Sequence, residues 1–377
     1  MKAGWRAQAL GDVLRLEYGR PLDRADRKPN GLYPVYGANG EKDRTDEYYC
    51  GHPSIIVGRK GSAGEVTLSE GKFWPLDVTY FAEFDRTRFD LQFLYYLLVT
   101  LELPSLAKGV KPGINRNEVY ALPVLTPPLP EQQRIVGILD EAFDGIATAK
   151  ANAEKNLQNA RALFESHLQS VFTQGGSGWT ETPLGELATF RNGINFTKSS
   201  KGDSIKILGV KDFQNSFWAP LDDLESVIPD GTLPDLDTLQ IGDLVFVRSN
   251  GNPELIGRCL LIGEVSERTT HSGFTIRARL NDAAVLPNYL CHFLKSSVVR
   301  REMIDGGNGA NIKSLNQGTR SRLVIPLPSS SQQVQIVRQI EAISEETQRL
   351  ESLYQRKLTA LDELKKSLLH QAFSGAL

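Results

Sequence analysis

The stretch Pro127-Pro128-Leu129-Pro130-Glu131-Gln132-Gln133-Arg134-Ile135-Val136 decides the fold, because the chain repeats it. The second copy is Pro326-Leu327-Pro328-Ser329-Ser330-Ser331-Gln332-Gln333-Val334-Gln335-Ile336-Val337, degenerate but in the same order. Each copy closes a proline-rich connector and opens a long run that ends at glycine, Gly175-Gly176 in one case and Gly375 in the other. Proline before the first turn and glycine past the last is the usual asymmetry of an α-helix. The pattern predicts helices over roughly Glu131 to Phe172 and Ser331 to Phe373, with no proline or glycine after Gly145 to break either.

Working outward, the repeat extends to both ends of the chain. Gly4-Trp5 returns as Gly178-Trp179, Leu10-Gly11-Asp12-Val13 as Leu184-Gly185-Glu186-Leu187, and Gly19 as Gly193, all at an offset of 174. Phe93-Leu94 and Leu97-Leu98 are echoed by Tyr289-Leu290 and Phe293-Leu294. Ile135-Val136 then matches Ile336-Val337, and Phe172 matches Phe373, at an offset of 201. The second copy therefore carries 27 extra residues inside its globular part. The period is too long for a solenoid, so each copy is a whole domain plus a connector. Strand-like runs such as Ser54–Val57 and Asp243–Val247, punctuated by Gly, Asn and Pro, make the globular parts mixed and β-rich.

The helical runs carry apolar residues at alternating steps of four and three. The first seam reads Ile135, Leu139, Ala142, Ile146, Ala149, Ala153, Asn156, Ala160, Leu163, His167. The second reads Ile336, Ile340, Ile343, Thr347, Leu350, Tyr354, Lys357, Leu361, Leu364, Leu368. That spacing indicates a coiled coil, and an Ala-rich seam against a larger one suits close packing of the two helices on each other. A helix of this size is about 60 Å long. The alternative at this point is a long amphipathic helix lying on a domain.

Composition bounds the function. The 377 residues carry 43 Lys and Arg against 45 Asp and Glu, so a nucleic-acid surface would have to be local. Hydrophobic residues at 40% exclude a disordered chain, and three cysteines without CxxC spacing exclude a disulfide framework or zinc ribbon. No run has the length of a membrane span and no apolar leader opens the chain, so the expected location is cytoplasmic. Catalytic signatures are missing. There is no GxxxxGK[ST] loop, and Gly306-Gly307-Asn308-Gly309 does not make a dinucleotide fingerprint. Asn252-Pro253-Glu254 lacks the Pro-aromatic end of an adenine methyltransferase motif, and Glu363-Leu364-Lys365 falls on a helix face where charges are ordinary. Cys50/His52 and Cys291/His292 could begin a metal site, but neither has a matching second pair, so no metal is expected. His167 falls on the seam. The chain reads as a binder.

Two loops in each copy offer what a nucleic acid needs. In the first, a strand runs into Arg59-Lys60-Gly61-Ser62-Ala63-Gly64, and Lys108-Gly109-Val110-Lys111-Pro112-Gly113-Ile114-Asn115-Arg116 lies near the domain's end. In the second, a strand delivers Arg248-Ser249-Asn250, followed by Arg258, and the later loop contains Asn311, Lys313 and Gln317. Arg reads guanine edges in pairs of hydrogen bonds, Asn and Gln read adenine, and Lys neutralises phosphate. The DNA-contact set is thus Arg59, Lys60, Ser62, Lys108, Lys111, Asn115, Arg116, Arg248, Ser249, Asn250, Arg258, Asn311, Lys313 and Gln317, with Arg59 and Arg248 in corresponding places. Ordinary solvated turns have the same composition, and recurrence in both copies is what favours DNA. Tyr36, Trp74 and Trp218 read as packing residues.

On these strings the chain resembles the specificity (S) subunit of Type I restriction-modification systems, over essentially its whole length. The proline-to-helix string looks like the start of that family's central conserved helix. The openings around Trp5 and Trp179, and the segments Ile56–Gly61, Phe246–Asn250 and Glu254–Arg258, look like its target recognition domains. The resemblance implies an α/β (α+β) chain with two β-rich target recognition domains. Two long antiparallel coiled-coil helices join them in a pseudo-twofold internal repeat. The expected divisions are 1–130 and 175–330 for the recognition domains and 131–174 and 331–377 for the helices. It also implies that each domain reads one half of a bipartite, asymmetric site on double-stranded DNA. The helices would set the spacer and dock two methyltransferase (M) subunits, which carry S-adenosylmethionine. Restriction (R) subunits would bring ATP and magnesium. This chain itself would be non-catalytic and without a cofactor. The other reading kept open is a coiled-coil scaffold with two peptide-binding domains and no DNA role.

Overall fold

A computed structural model describes residues 4–173, 175–176, 178–214, 216–281, 283–305, 313–314 and 321–377, the pair 313–314 by its backbone. The chain divides into two compact units, Met1–Glu154 with Gln355–Leu377, and Lys155–Tyr354. The division runs through the two long helices, so each unit holds a segment of both.

The first globular part contains β1 (Arg6–Ala9), β2 (Arg15–Tyr18), β3 (Tyr33–Gly37), β4 (Gly40–Thr45), β5 (Ser54–Gly58), β6 (Val66–Ser69), β7 (Trp74–Pro75), β8 (Thr79–Glu83) and β9 (Pro123–Thr126). Its helices are α1 (Leu91–Thr100) and α2 (Arg116–Tyr120), and α3 (Leu129–Thr173) is the first long helix. The second part contains β10 (Thr180–Pro183), α4 (Leu184–Leu187), β11 (Ala188–Asn192), β12 (Ile205–Leu208), β13 (Glu225–Val227), β14 (Leu244–Val247), β15 (Ser249–Asn250), β16 (Cys259–Leu261), β17 (Thr269–His271) and β18 (Thr275–Leu280). It continues with α5 (Pro287–Lys295), α6 (Ser297–Asp305), β19 (Lys313–Ser314) and β20 (Val324–Leu327), and the second long helix, α7, spans Ser330–Ser374. Both long helices begin and end within two residues of the sequence expectation.

The duplication is explicit in the sheets. The order β2-β8-β5-β6 in the first part is matched by β11-β18-β14-β16 in the second, and β4-β3-β7 by β13-β12-β17. In both three-stranded sheets one pair is antiparallel and the other parallel. The pair β1-β9 is matched by β10-β20. The recurring glycine has a physical cause. Gly19 and Gly193 each donate to the first residue of the neighbouring strand, at 3.1 Å to Thr79 O and 3.3 Å to Thr275 O. A Cβ there would come within 2.1 Å of Leu76 O or 2.2 Å of Ser272 O, so no larger residue fits.

Each globular part builds one core onto the start of one long helix and the end of the other. In the first unit Phe93, Leu94, Leu97 and Leu98 of α1 join Ile135 and Leu139 of α3 and Leu369 and Ala372 of α7. In the second, Tyr289, Leu290 and Leu294 of α5 join Leu168 and Phe172 of α3 and Val337 and Ile340 of α7. Phe373 stacks on Phe93 at 5.1 Å, and Phe172 stacks on Tyr289 and Phe293 at 5.5 and 5.2 Å. Such aromatic pairs add about 0.5–1.5 kcal/mol each beyond burial.

A buried amide fixes each junction. Gln132 is fully buried. It accepts from Asp90 N at 2.9 Å and donates to Arg88 O and Pro127 O at 3.0 and 2.9 Å. Gln333, 201 residues later, accepts from Leu286 N at 2.8 Å and donates to Ala284 O and Pro328 O at 2.9 and 3.0 Å. One side chain thus satisfies three main-chain groups at the place where the connector turns into helix, and it does so twice.

Within each unit the helix segments run antiparallel. In the first, Lys150 Nζ meets Asp362 Oδ1 at 2.7 Å; in the second, Arg161 Nε meets Glu351 Oε1 at 3.0 Å. The predicted seams hold over Leu139, Ile146, Ala153 and Ala160 in α3 and over Ile340 and Thr347 in α7, all buried. They fail in the second half of each helix. Leu163 and Leu364, placed on the seam, are 65% and 47% exposed, and Asn156 and Lys357 are exposed too. The buried stripe instead steps by four through Ala160, Phe164, Leu168 and Phe172, and α7 buries Leu369 and Ala372. The reason is a change of neighbour. A strict 3.5-residue repeat drifts on an α-helix, and each helix end faces its sheet domain's core.

Candidate nucleic-acid interface

Arg59 follows β5 and Arg248 follows β14, the corresponding strands of the two four-stranded sheets. Their main-chain N–H groups donate to the residue before the next strand, Arg59 to Val78 O and Arg248 to Phe274 O, each at 2.9 Å or less. The turn that follows each Arg closes the same way. Gly64 N donates to Gly58 O at 2.7 Å and Gly257 N to Val247 O at 3.0 Å, with both glycines in the left-handed region at φ +87° and +71°. The correspondence read from sequence is therefore a correspondence of backbone.

In the first unit the two predicted loops form one surface. Gly61 N donates to Pro112 O at 2.9 Å and Ile114 N to Arg59 O at 3.1 Å, while Lys60 and Lys108 both bridge to Gly113. Lys60, Lys108, Lys111 and Asn115 are exposed, and Arg59, Ser62 and Arg116 half-buried. Asn115 also caps α2, accepting from Asn117 N at 2.9 Å, and Lys108 is paired with Glu118 at 2.7 Å. A residue that the sequence reading missed sits between the arginines. Tyr18, 44% exposed at the end of β2, has the Arg59 guanidinium 5.2 Å and the Arg116 guanidinium 4.9 Å from its ring centre. Cation–π contact of this kind holds long side chains in one orientation. Arg59 is further fixed by Nε donating to Asp77 O at 3.1 Å, and Arg116 by Nη1 donating to Leu16 O at 3.4 Å. Nothing in the local sequence around Tyr18 marks it; only the pairing of β2 with β8 brings it there.

In the second unit the two predicted loops are again joined, through β15 and β19. Ser249 pairs with Ser314 and Asn250 with Lys313. Asn311 and Gln317 lie outside the described residues, as does the side chain of Lys313. Arg248 Nη1 donates to Asn192 Oδ1 at 3.4 Å, which makes Asn192 its orienting partner, and Phe274, 60% exposed, is the next residue beside it. Asn250 accepts from Asn252 N at 2.8 Å, which shapes the turn rather than leaving its oxygen open. Arg258 is held differently. Its guanidinium donates to Phe213 O at 3.0 Å and Glu254 O at 3.3 Å. It lines a cavity of about 690 Å³ together with Arg161, Lys295, Arg300 and His292.

The packing residues fall as expected for Tyr36, which is buried, and for Trp74, whose Nε1 donates to Arg20 O at 3.0 Å. Trp218 is 48% exposed and rests edge-on against Phe217 at 5.4 Å. Two buried histidines of this unit are neutral. Burial, with Arg277 nearby, lowers His271 to about 3; burial, with Lys295 nearby, lowers His292 to about 4.

Known proteins share both the sequence pattern and the architecture. Residues 2–158 match the family described as the Type I restriction modification DNA specificity domain. The specificity subunit of the Type I restriction enzyme StySPI from Salmonella potsdam is 25% identical over 296 residues, covering 73% of this chain and 62% of that protein. The EcoKI specificity subunit of Escherichia coli K12 is 26% identical over 273 residues, covering 67% and 57%. The matches thus span about six-tenths of the length of these relatives. Among solved structures, a chain from a study of assembly and conformational transition in a type I R-M system superposes with a TM-score of 0.79 at 16% identity, covering 100% of this chain and 99% of that one. The HsdS subunit from Thermoanaerobacter tengcongensis gives 0.64 at 17% identity, covering 100% and 98%. These two likenesses concern the fold. By its matched domain, its duplicated sheets and its paired long helices, the chain resembles the specificity subunits of Type I restriction-modification systems.

Proposed function

We propose that this chain is the DNA sequence-recognition subunit of a Type I restriction-modification complex. Each globular part reads one half of a split, asymmetric site on double-stranded DNA, and the long helices set the spacer and dock the M subunits. The observation that carries the reading is the equivalence of Arg59 and Arg248. Corresponding strands deliver both into a loop that main-chain bonds join to a second polar loop. A single basic turn is ordinary. The same pair of loops built twice, on sheets that otherwise differ in sequence, suits two readers with different half-sites. In this reading the chain is non-catalytic and cytoplasmic, and chemistry belongs to the partners. M subunits supply S-adenosylmethionine, and R subunits supply ATP hydrolysis with magnesium. Among the described residues no helix is long and apolar enough to cross a membrane.

The test is to map methylated adenines in DNA from cells carrying this chain with its M partner. A single bipartite motif with a fixed gap is expected, and its absence would overturn the reading. Inserting four residues near Ala153 should change the gap and leave both half-sites as they were. An unchanged gap would remove the spacer role from the helices.

A further inference from the structure

The spacing of Cys50 and His52 suggests half a metal site, and folding supplies a third donor that the sequence leaves 31 residues away. Cys50 is pinned by reciprocal main-chain bonds with Phe73, both 3.0 Å. His52 lies just before β5, and Glu83 ends β8, the strand beside it. Cys50 Sγ is 3.8 Å from each His52 ring nitrogen, and His52 Nε2 is 3.1 Å from Glu83 Oε1. One donor atom from each of the three residues falls within 4.8 Å of the others. A tetrahedral zinc ion with thiolate at about 2.3 Å and imidazole nitrogen or carboxylate oxygen at about 2.0–2.1 Å spaces its ligand atoms about 3.3–3.6 Å apart. The triad is within a few tenths of an ångström of that spacing along both edges that involve the histidine.

The shell around the histidine fits as well. Nδ1 lies 3.1 Å from Pro53 O. A ligating histidine ordinarily donates its other N–H to a backbone carbonyl or carboxylate, which fixes the tautomer and turns the free lone pair to the metal. With the proton on Nδ1, the Nε2 lone pair faces the Glu83 carboxylate. Arg86 Nη2 donates to Pro53 O at 2.5 Å and stands 3.1 Å from Nδ1, the nitrogen the ion would not use. In the absence of an ion the same atoms make a second arrangement, with Nε2–H donating to Glu83 and Nδ1 accepting from Arg86. The two arrangements differ in where the ring proton sits, and only one of them binds a cation.

We propose that Cys50, His52 and Glu83 form a binding site for a zinc-class divalent cation. The donor set of one thiolate, one imidazole and one carboxylate suits zinc over calcium or magnesium, which take oxygen ligands. A fourth position is left to water or to a group from a partner. Cys50 gives up its thiol proton to solvent as the ion binds. The site stands at the start of β5, the end opposite Arg59. Its effect would be to tie the 50–53 loop to β8.

The experiment uses the full chain, stripped with a chelator and titrated with Co²⁺ alone. One cobalt per chain is expected, with thiolate-to-cobalt charge-transfer absorption in the near ultraviolet and tetrahedral d–d bands in the visible, both lost on adding Zn²⁺. Cys50→Ser should abolish the charge-transfer absorption. His52→Gln and Glu83→Gln change half-exposed side chains, so the fold is retained, and each should weaken cobalt binding by at least tenfold. Two results would overturn the proposal: a chain that shows no thiolate–cobalt absorption at saturating Co²⁺, or an absorption that persists unchanged in Cys50→Ser. Far-ultraviolet circular dichroism of each variant certifies that a lost signal reflects a lost ligand.

Discussion

The first unit fills the space between its helix pair and α1 with aromatic rings, and the second leaves the equivalent space open. Phe143 of α3 stands edge-on to Tyr96 at 5.4 Å, and Lys365 of α7 lies over its face at 4.8 Å. Tyr96 also donates to Asp140 at 2.5 Å. The repeat puts Ser344 where Phe143 stands and His292 where Tyr96 stands. Both line the cavity of about 690 Å³, and His292 lies against Phe217 at 4.4 Å. The polar anchors at the helix starts, by contrast, are the same in both units down to the choice of carbonyl and N–H. Duplicated domains here have kept the groups whose loss would leave main-chain atoms unpaired and have let the apolar filling diverge. That order follows from the energetics: a buried orphaned N–H or C=O costs about 1–3 kcal/mol, whereas a core tolerates changed shape when volume is redistributed.

The largest effect is expected from those anchors. Gln132→Leu and Gln333→Leu each strand one N–H and two carbonyls, so each should remove about 3–6 kcal/mol from its own unit, read as a lowered midpoint in guanidinium unfolding. If Gln333→Leu costs less than about 1 kcal/mol, the anchors match in geometry only. Acid should separate the units next. His271 and His292 are held neutral with lowered affinity for protons, while the unfolded chain protonates them near pH 6.5. Their stabilising contribution is therefore complete above about pH 6.5 and shrinks as pH falls toward their folded values. By pH 5 this amounts to about 2 kcal/mol for each histidine. The position equivalent to His292 in the first unit is Tyr96, whose hydroxyl is pushed up to about 12 by burial and by Asp140, and it does not titrate in this range. Unfolding followed between pH 7.5 and 5 should show a falling second-unit transition; two equally flat profiles would contradict the contrast.

Filling and emptying the aromatic site comes third. Phe143→Ala should cost about 2–3 kcal/mol, at the low end for a phenylalanine because the ring is half-buried. Ser344→Phe should be tolerated within about 1 kcal/mol. A severe loss on Ser344→Phe would mean that the second unit's opening is not the space Phe143 fills. The smallest effects compare the two readers. Arg59→Ala and Arg248→Ala should each cost about 1–3 kcal/mol of DNA affinity, each at one half-site alone. Equal losses on every sequence would make the arginine a phosphate contact.

Sequence showed the duplication and both long helices because Gln132-Gln133-Arg134-Ile135 and its echo lie in a register that survives divergence. It showed Arg59 and Arg248 as equivalents because each follows an apolar run, Ile55–Val57 with Gly58 in one case and Leu244–Val247 in the other. It did not show that Leu163 and Leu364 leave the seam, since a helical period carries no sign of which neighbour the helix faces. Nor did it show that Gln132 and Gln333, polar residues within the repeated string, are buried. Tyr18, Asn192 and Glu83 reach their partners through strand pairing, which local patterning does not encode. The family resemblance anticipated the architecture and left these side chains to be found in three dimensions.

The two cross-helix ion pairs described above have the same polarity, cation on α3 and anion on α7. Lys150 and Arg161 both belong to α3, and Glu351 and Asp362 both belong to α7. Were α3 to pair with another α3 in this alignment, Lys150 would meet Arg161; two α7 helices would set Glu351 against Asp362. Like charges facing across a coiled coil select against that partner. Each half of this molecule is thereby addressed to its complement and repels its own kind. If the chain were severed between its halves, the fragments would be expected to find one another rather than themselves.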